Sequence, residues 1–234
     1  MATMLSAWQD VLQRVETATK NAGRKAGSVR LIAVGKTFQA ASLRALYACG
    51  QRDFGENYVQ EFIGKHAELA DCPEIVWHFI GPLQSNKTRP VAERAHWVHA
   101  LDRLKIAERL SAQRPEPMPA LNVCLQVNVS GEASKSGVAP GDVTALAQAV
   151  RGLPRLELRG LMAIPEPTPD AQKLAGQFAL LGRLRDDLNR EGFGLDTLSM
   201  GMSADLEPAI AAGATHVRVG TALFGARDYS NNGL

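Results

Sequence analysis

Residues 29–35 have the sequence Val-Arg-Leu-Ile-Ala-Val-Gly, an almost uninterrupted run of β-branched and aliphatic side chains. A run of this kind is typical of a strand that is buried on both faces, as in parallel sheets covered by helices. A helical segment at 40–48 follows it. The stretch therefore predicts the first strand and helix of an α/β protein.

The alternation of apolar, strand-like segments with helical segments recurs along the rest of the chain. Further strands are predicted at 51–55, 75–81, 97–101, 121–129, 156–164, 197–200 and 216–219. Strand starts are roughly 20 to 40 residues apart, the size of a βα unit. Eight units favour a closed (β/α)8 TIM barrel over an open doubly wound sheet, which usually has about five or six strands.

We predict that residues 1–234 form a single barrel domain, because no shift in composition marks a boundary. In the opening segment, apolar residues recur at helical spacing up to Gly23 and Gly27. This pattern predicts an N-terminal helix within 1–27 that packs on the barrel. The Asn- and Gly-rich segment 228–234 is expected to be a flexible tail.

The composition excludes several classes of protein. The 26 basic and 24 acidic residues give a net charge of +2, so no basic field for nucleic acid is expected. Cys49, Cys72 and Cys124 form no C-x-x-C pair, which fits isolated thiols in a reducing, cytoplasmic compartment. Without a signal-peptide pattern or an apolar run of about 20 residues, no contact with membranes is expected.

In a TIM barrel, the functional site lies at the carboxyl ends of the strands. After the seventh predicted strand comes Ser199-Met200-Gly201-Met202-Ser203, and after the eighth comes Gly220-Thr221. These two loops often bind phosphate in barrels, and small residues let backbone N–H groups approach an anion. Ser203 is expected to cap a short helix there. The alternative is that these are ordinary turn and cap residues.

Two charged side chains, Lys36 and Arg218, carry further information about the site. Lys36 follows the first strand, where partial burial would favour a neutral, nucleophilic amine; a solvated surface lysine is the alternative. A Walker A loop is excluded because Arg30 stands where its first glycine is required. Arg218 interrupts an apolar strand, so it either forms an outward salt bridge or faces a heteroaromatic ligand.

Together, a lysine that can form a Schiff base, a phosphate loop and an arginine suit pyridoxal 5′-phosphate (PLP). Two further residues leave alternatives open. His78 is either a satisfied core histidine or a residue of the barrel mouth. Glu56 is either a carboxylate of the site or the partner of an arginine.

Long segments of the chain resemble the small PLP-binding homeostasis family, between about residues 31 and 229. The matching segments are LIAVGK at 31–36, FGENYVQE at 54–61, WHFIGPLQSNK at 77–87, GLM at 160–162, LSMGMSADLE at 198–207 and VRVGTALFGAR at 217–227. The resemblance implies a single fold-type III barrel, similar to the N-terminal domain of alanine racemase.

The resemblance also implies a set of cofactor-binding residues. Lys36 matches the lysine that forms the internal Schiff base, and Arg218 matches the arginine beside the pyridine nitrogen. The phosphate-binding positions and the other members of the implied site are Ser199, Met200, Ser203, Gly220, Thr221, Asn57 and Lys135. Lys135 matches a second family lysine linked to cofactor exchange. Some relatives carry another lysine where this chain has Phe38.

These observations lead to three functional hypotheses. The first is reversible PLP binding, buffering and delivery in PLP homeostasis, without turnover, by a monomer whose candidate partners are PLP-dependent apo-enzymes. The second is a PLP-dependent amino-acid racemase-like enzyme, although the chain shows no second domain that would supply the second base. The third is a cofactor-free, aldolase-like barrel that uses Lys36. No catalytic residue and no metal site is assigned.

Overall fold

The computed structural model describes residues 3–131 and 136–225, whose strands form one closed parallel barrel. The strands are Arg30–Val34 (β1), Asp53–Glu56 (β2), Val76–Phe79 (β3), Trp97–Leu101 (β4), Leu121–Gln126 (β5), Leu156–Met162 (β6), Thr197–Met202 (β7) and His216–Val219 (β8). Each strand pairs with the next, and β8 pairs with β1, where Ile32 lies opposite Arg218. The predicted TIM barrel is confirmed.

Helices cover the outside of the barrel; the first precedes β1, and each of the others follows a strand. They are Met4–Asn21 (α1), Ala40–Ala48 (α2), Val59–Glu68 (α3), Thr88–Ala92 (α4), Leu104–Gln113 (α5), Val143–Arg151 (α6), Ala171–Arg190 (α7), Leu206–Ala211 (α8) and Thr221–Phe224 (α9). Short 3-10 turns occur at Ser85–Lys87 and Pro140–Asp142. Among the helices of the described ranges, none combines the length and the apolar character needed to cross a membrane.

Several strands end at positions that differ from the sequence prediction, among them the fifth, sixth and seventh. The fifth stops at Gln126, because the chain beyond it pairs through Val127 with Val138 in the following loop. The sixth stops at Met162. The seventh runs on to Met202, since Gly201 adopts a φ of 93° and shifts the register with β8. A side chain at Gly201 would also place its Cβ 2.6 Å from that of Ala209.

The N-terminal helix α1 packs against α8 and α9, the helices that follow the last two strands. Thr3 caps it by accepting a hydrogen bond from the Ser6 N–H, and Val11 and Val15 enter the core. Arg14 extends from α1 to the loop after β7, where Nη2 donates to the carbonyl oxygen of Ser203 at 3.1 Å. The guanidinium also pairs with Glu207 at 2.9 Å. The first helix therefore holds the last part of the barrel in place.

The barrel has an apolar layer outside and a polar interior. Between the sheet and the helices lies the main core, which includes Phe54, Phe62 and Phe178. Inside the ring, His99 on β4 contacts Ser199 on β7, two strands that are not neighbours in the sheet. Such a contact is possible only across the interior of the barrel. The interior thus contains hydrogen-bonding side chains where aliphatic layers are usual.

Candidate functional site

A cavity of about 250 Å³ opens at the carboxyl ends of the strands, where the barrel rule predicts the site. Its walls are formed by six strands and the loops that follow them, namely β1, β2, β3, β6, β7 and β8. The lining residues are Val34, Lys36, Phe38, Asn57, Ile80, Ile164, Met202, Ser203, Ala204, Arg218, Gly220 and Thr221. The structure therefore brings together six of the predicted site residues: Lys36, Asn57, Ser203, Arg218, Gly220 and Thr221.

Lys36 lies on a tight loop between β1 and α2. Its neighbour Thr37 has a φ of 69°, the left-handed region that non-glycine residues seldom adopt. Two hydrogen bonds fix this conformation: Thr37 N–H donates to Glu61 Oε2 at 2.7 Å, and Phe38 N–H donates to the Gly35 carbonyl at 3.0 Å. This constrained loop fixes the backbone at Lys36 and therefore limits the positions that the lysine side chain can reach.

A buried cluster of charged side chains from α3 and β2 is hydrogen-bonded to the same loop. Lys65 Nζ donates to the Gly35 carbonyl at 2.7 Å and forms ion pairs of 2.8 Å with Glu56 and Glu61. Burial raises the pKa of Glu56 to about 7, against the opposing effect of Lys65. Glu56 therefore pairs with a lysine and not with an arginine, the partner that the sequence analysis considered. It also does not line the cavity, so the other alternative, a carboxylate of the site, is not what the structure shows.

Arg218 enters the cavity from β8 and is 4% exposed. Its Nη1 donates to Ser199 Oγ at 2.7 Å and its Nη2 to the Ala163 carbonyl at 2.9 Å. Burial lowers the pKa of Arg218 to about 10, which still leaves the guanidinium protonated at neutral pH. An outward salt bridge, the alternative from the sequence, is not what the side chain forms. Arg218 is a fixed cation and hydrogen-bond donor.

Asn57 follows β2, and its side-chain oxygen has no hydrogen-bond partner among the residues that the structure describes. Its Oδ1 is buried, and no donor among the described residues reaches it. Buried polar atoms are nearly always hydrogen-bonded, so an orphaned acceptor in a cavity wall suits a ligand or a water. The backbone of Asn57 is held by close packing: a Cβ at Gly81 would lie 2.2 Å from the Asn57 carbonyl oxygen. Only glycine fits at position 81 without displacing this wall.

Ser203, Gly220 and Thr221 line the cavity from the loops after the neighbouring strands β7 and β8. Gly220 lies against the end of β1, since a Cβ there would be 3.2 Å from the Val34 carbonyl oxygen. The prediction that Ser203 caps a helix is wrong. The residue before α8 is Asp205, whose side chain accepts a hydrogen bond from the Met202 N–H, which lies ahead of the helix.

Two predicted site residues are placed elsewhere, and a third, Lys135, is not among the described residues. The Ser199 side chain is fully buried and binds Arg218 and His99, so it lies behind the arginine and does not line the cavity. Met200 points the other way and packs in the outer core. Lys135 and the tail 228–234 lie outside the described residues. His78 is a core histidine, fully buried with both ring nitrogens hydrogen-bonded.

The apolar part of the cavity was missed by the sequence analysis. Val34, Ile80 and Ile164 lie at or just beyond the carboxyl ends of β1, β3 and β6. The rule that located Lys36 applies to them equally and could have found them. Phe38 lines the cavity and stacks on Phe224 with ring centroids 4.8 Å apart. One face of the site is therefore suited to a flat, partly apolar ligand.

Among the described residues, no three His, Cys, Asp or Glu side chains are arranged to hold a metal ion. The described part of the chain gives the cavity one primary amine, one guanidinium, an amide oxygen with no partner in that part, and two hydroxyl groups. That set can hold an aromatic ligand with an anionic group, and its amine can react with a carbonyl.

Comparison with known proteins supports this description. The sequence model for the alanine racemase N-terminal domain matches residues 11–228. The chain is 62% identical over 229 residues to the pyridoxal phosphate homeostasis protein of Pseudomonas aeruginosa, covering 98% of both chains. It is 51% identical to the protein of that name from Vibrio cholerae, covering 96% of both.

A solved structure of PipY from Synechococcus elongatus, with PLP bound, superposes with a TM-score of 0.79 at 40% identity. The match covers 90% of this chain and 99% of PipY. Because the family model spans nearly the whole sequence and the relatives share about half of its residues or more over their full length, this chain belongs to the family of pyridoxal phosphate homeostasis proteins, within the alanine racemase N-terminal domain group.

Proposed function

We propose that this chain binds PLP reversibly through Lys36 and buffers or delivers it, without turning over a substrate. Relatives at 51% and 62% identity carry the name pyridoxal phosphate homeostasis protein, and PipY was solved with PLP bound. Delivery to PLP-dependent apo-enzymes, a monomeric state and a cytoplasmic location are parts of the same proposal.

The observation that carries the proposal is that Lys36 and Arg218 line one cavity together with the orphaned oxygen of Asn57. PLP supplies an aldehyde for a lysine amine and a pyridine ring that can act as an electron sink. Lys36 would hold the aldehyde end, and Arg218 would donate to the ring nitrogen. Ser203, Gly220 and Thr221 would bind the phosphate through hydroxyl and backbone N–H groups, in a barrel region that often does so.

Two features favour binding over turnover. Arginine donates hydrogen bonds and does not give up its proton near neutral pH, so Arg218 keeps the ring nitrogen an acceptor. Lys36 and Arg218 are also the ionisable side chains among the described residues that line the cavity. A racemase needs a second acid or base facing the lysine, and the lining within residues 3–131 and 136–225 offers none.

Absorbance spectra of the purified protein with added PLP, before and after borohydride, test the proposal. We expect a PLP band that borohydride removes, with the pyridoxyl label mapped to Lys36. Lys36→Ala should lose the band, whereas Lys20→Ala, on the exposed side of α1, should keep it. Retention of the band in Lys36→Ala would overturn the proposal.

Two further readouts separate the competing functions. Deuterium exchange from solvent at Cα of alanine, faster than with free PLP, would indicate racemase-like turnover. A borohydride adduct that carries a sugar phosphate instead of pyridoxyl would indicate an aldolase-like barrel. We expect neither result.

A further inference from the structure

A chain of hydrogen bonds crosses the barrel interior from Arg218, at the cavity, to Asp53, at the start of β2. Arg218 Nη1 lies 2.7 Å from Ser199 Oγ, which lies 2.8 Å from His99 Nδ1. His99 Nε2 lies 2.9 Å from His78 Nδ1, and His78 Nε2 lies 3.0 Å from Asp53 Oδ1. Four consecutive hydrogen bonds thus join five side chains from five strands.

The chain is shielded from water for most of its length. Ser199, His99 and His78 are fully buried, and the Asp53 side chain is 16% exposed. Aromatic rings enclose the histidines: Trp97 stacks on His78 with centroids 5.8 Å apart, and the His216 ring lies 6.0 Å from that of His99. Each polar atom in the chain must therefore be satisfied by its neighbour.

The two ends of the chain impose one direction on it. An arginine can only donate hydrogen bonds, and an ionised carboxylate can only accept them. Burial lowers the pKa of His78 and lowers that of His99 well below its usual value, so both rings are neutral near pH 7. Burial works against ionisation of Asp53, but the combined effects of His78 and Arg30, which both contact the carboxylate, outweigh burial and lower the pKa of Asp53.

With neutral rings, each histidine carries one N–H, and its position follows from Asp53. His78 donates from Nε2 to Asp53, which leaves its Nδ1 as the acceptor for His99 Nε2–H. His99 Nδ1 is then the acceptor for the Ser199 hydroxyl. The hydroxyl proton therefore points away from Arg218, and the oxygen lone pairs face the guanidinium.

We propose that Asp53, His78 and His99 are positioning residues, which orient the Ser199 hydroxyl so that it fixes Arg218 towards the cavity. The Ala163 carbonyl is the second acceptor that holds the guanidinium. The inference rests on the proposed function in one respect: it takes PLP as the ligand that Arg218 faces. The hydrogen-bond direction itself does not depend on the ligand.

The first test is side-chain ¹⁵N and ¹³C NMR of the histidines in cofactor-free protein near pH 7, assigned with the His78→Gln and His99→Gln variants. We expect both His78 and His99 to be neutral, with the proton on Nε2. A proton on Nδ1, or a charged ring, at either residue would overturn the proposal. Because no PLP is present, this result is independent of whether the chain binds PLP.

The second test measures PLP affinity by fluorescence in matched variants. His99→Leu removes the acceptor for Ser199, and we expect binding to weaken about tenfold, the usual effect of one lost hydrogen bond. His99→Gln can accept from Ser199 and donate towards His78, so it should recover most of the affinity. His66→Leu, on α3 outside the barrel interior, should bind like the wild type.

Two outcomes of the second test would contradict the positioning role. One is unchanged affinity in His99→Leu, and the other is an equal loss in His99→Gln and His99→Leu. Urea unfolding of each variant shows whether it is folded under the conditions of the binding assay. If the wild type itself fails to bind PLP, the proposed function fails, while the NMR result still decides the direction of the chain.

Discussion

The ammonium group of Lys65 donates a 2.7 Å hydrogen bond to the carbonyl oxygen of Gly35, the residue immediately before Lys36. A buried lysine on α3 thus fixes the backbone that carries the proposed PLP-binding lysine. Its charge is balanced by Glu56 and Glu61, and Glu61 also accepts the Thr37 N–H on the other side of Lys36. The loop is therefore held from both sides by one cluster.

Lys65→Met should destabilise the protein and weaken PLP binding together. The change leaves Glu56 buried beside an apolar chain, so that it must take up a proton or stay uncompensated, at a cost of about 3 kcal/mol. Urea unfolding and PLP titration measure the two effects. Lys105→Met, on the exposed side of α5, is the control and should change neither. A Lys65→Met protein as stable as the control would show that the cluster does not hold the loop.

Glu56→Gln should change how stability depends on pH. Burial raises the pKa of Glu56 to about 7, above the value near 4.3 expected in the unfolded chain. Between these values the native state binds more protons than the unfolded state. The contribution of Glu56 to stability is therefore complete below about pH 4.3 and is lost as the pH rises through about 7. Over this range the free energy of unfolding falls by at most about 1.4 kcal/mol per pH unit.

The measurement is the free energy of unfolding of the wild type and of Glu56→Gln from about pH 5 to pH 8. The wild type should lose stability relative to the variant as the pH rises, because glutamine does not titrate. Two parallel curves would show that Glu56 ionises at the same pH in both states.

Thr37→Gly should stabilise the loop that carries Lys36. Thr37 is exposed and has a φ of 69°, a conformation that costs a β-branched residue about 1 kcal/mol or more and costs glycine little. Thr37→Ala keeps a Cβ in the same conformation and should gain much less. The comparison is made by thermal unfolding of both variants. Equal stability of the two would mean that the backbone strain is not the controlling factor.

Gly81→Ala should damage the cavity wall, whereas Gly64→Ala should not. A Cβ at position 81 would lie 2.2 Å from the Asn57 carbonyl oxygen, so the Asn57 backbone must move. Overpacking of this kind costs about 1–3 kcal/mol, and we expect weaker PLP binding with it. Gly64 lies in α3 with nothing within 4 Å of an added Cβ, so alanine there should stabilise by about 0.5–1 kcal/mol. A neutral Gly81→Ala would contradict the packing described at Asn57.

Ser203→Ala combined with Thr221→Ala should weaken PLP binding more than pyridoxal binding. The two hydroxyl groups are assigned to the phosphate, and a hydrogen bond to a charged group contributes about 1.5–3 kcal/mol. We therefore expect affinity for PLP to fall at least about tenfold and affinity for pyridoxal, which lacks the phosphate, to stay constant. If both ligands weaken equally, these residues do not face the phosphate.

The apolar periodicity of the sequence was sufficient to predict the barrel, because each strand is buried on at least one face by the helices outside it. The ends of the strands were less predictable. Gln126 ends β5 because a loop pairs with the next residues, and Met202 extends β7 because Gly201 changes the register. Both effects depend on contacts that strand propensity does not contain.

The barrel rule and the family resemblance identified six residues that line one cavity, but the side chains of two further predicted residues, Ser199 and Met200 on β7, do not line it. Alternation along a strand places Ser199 inside the barrel and Met200 outside it, so neither side chain lines the cavity. The network behind Arg218 was out of reach for sequence reasoning. His99 and Ser199 are 100 positions apart, and only the closure of the ring brings them into contact.

The contact between Arg14 and Ser203 has a consequence for the order in which the protein matures. Helix α1 rests on the loop after β7 and on α8 and α9, so the cavity wall at Ser203 is completed only after β7 and β8 have been synthesised. A nascent chain that stops before β7 has Lys36 but neither Ser203 nor Arg218 to accompany it. We therefore expect the proposed PLP binding only in chains that extend past β8.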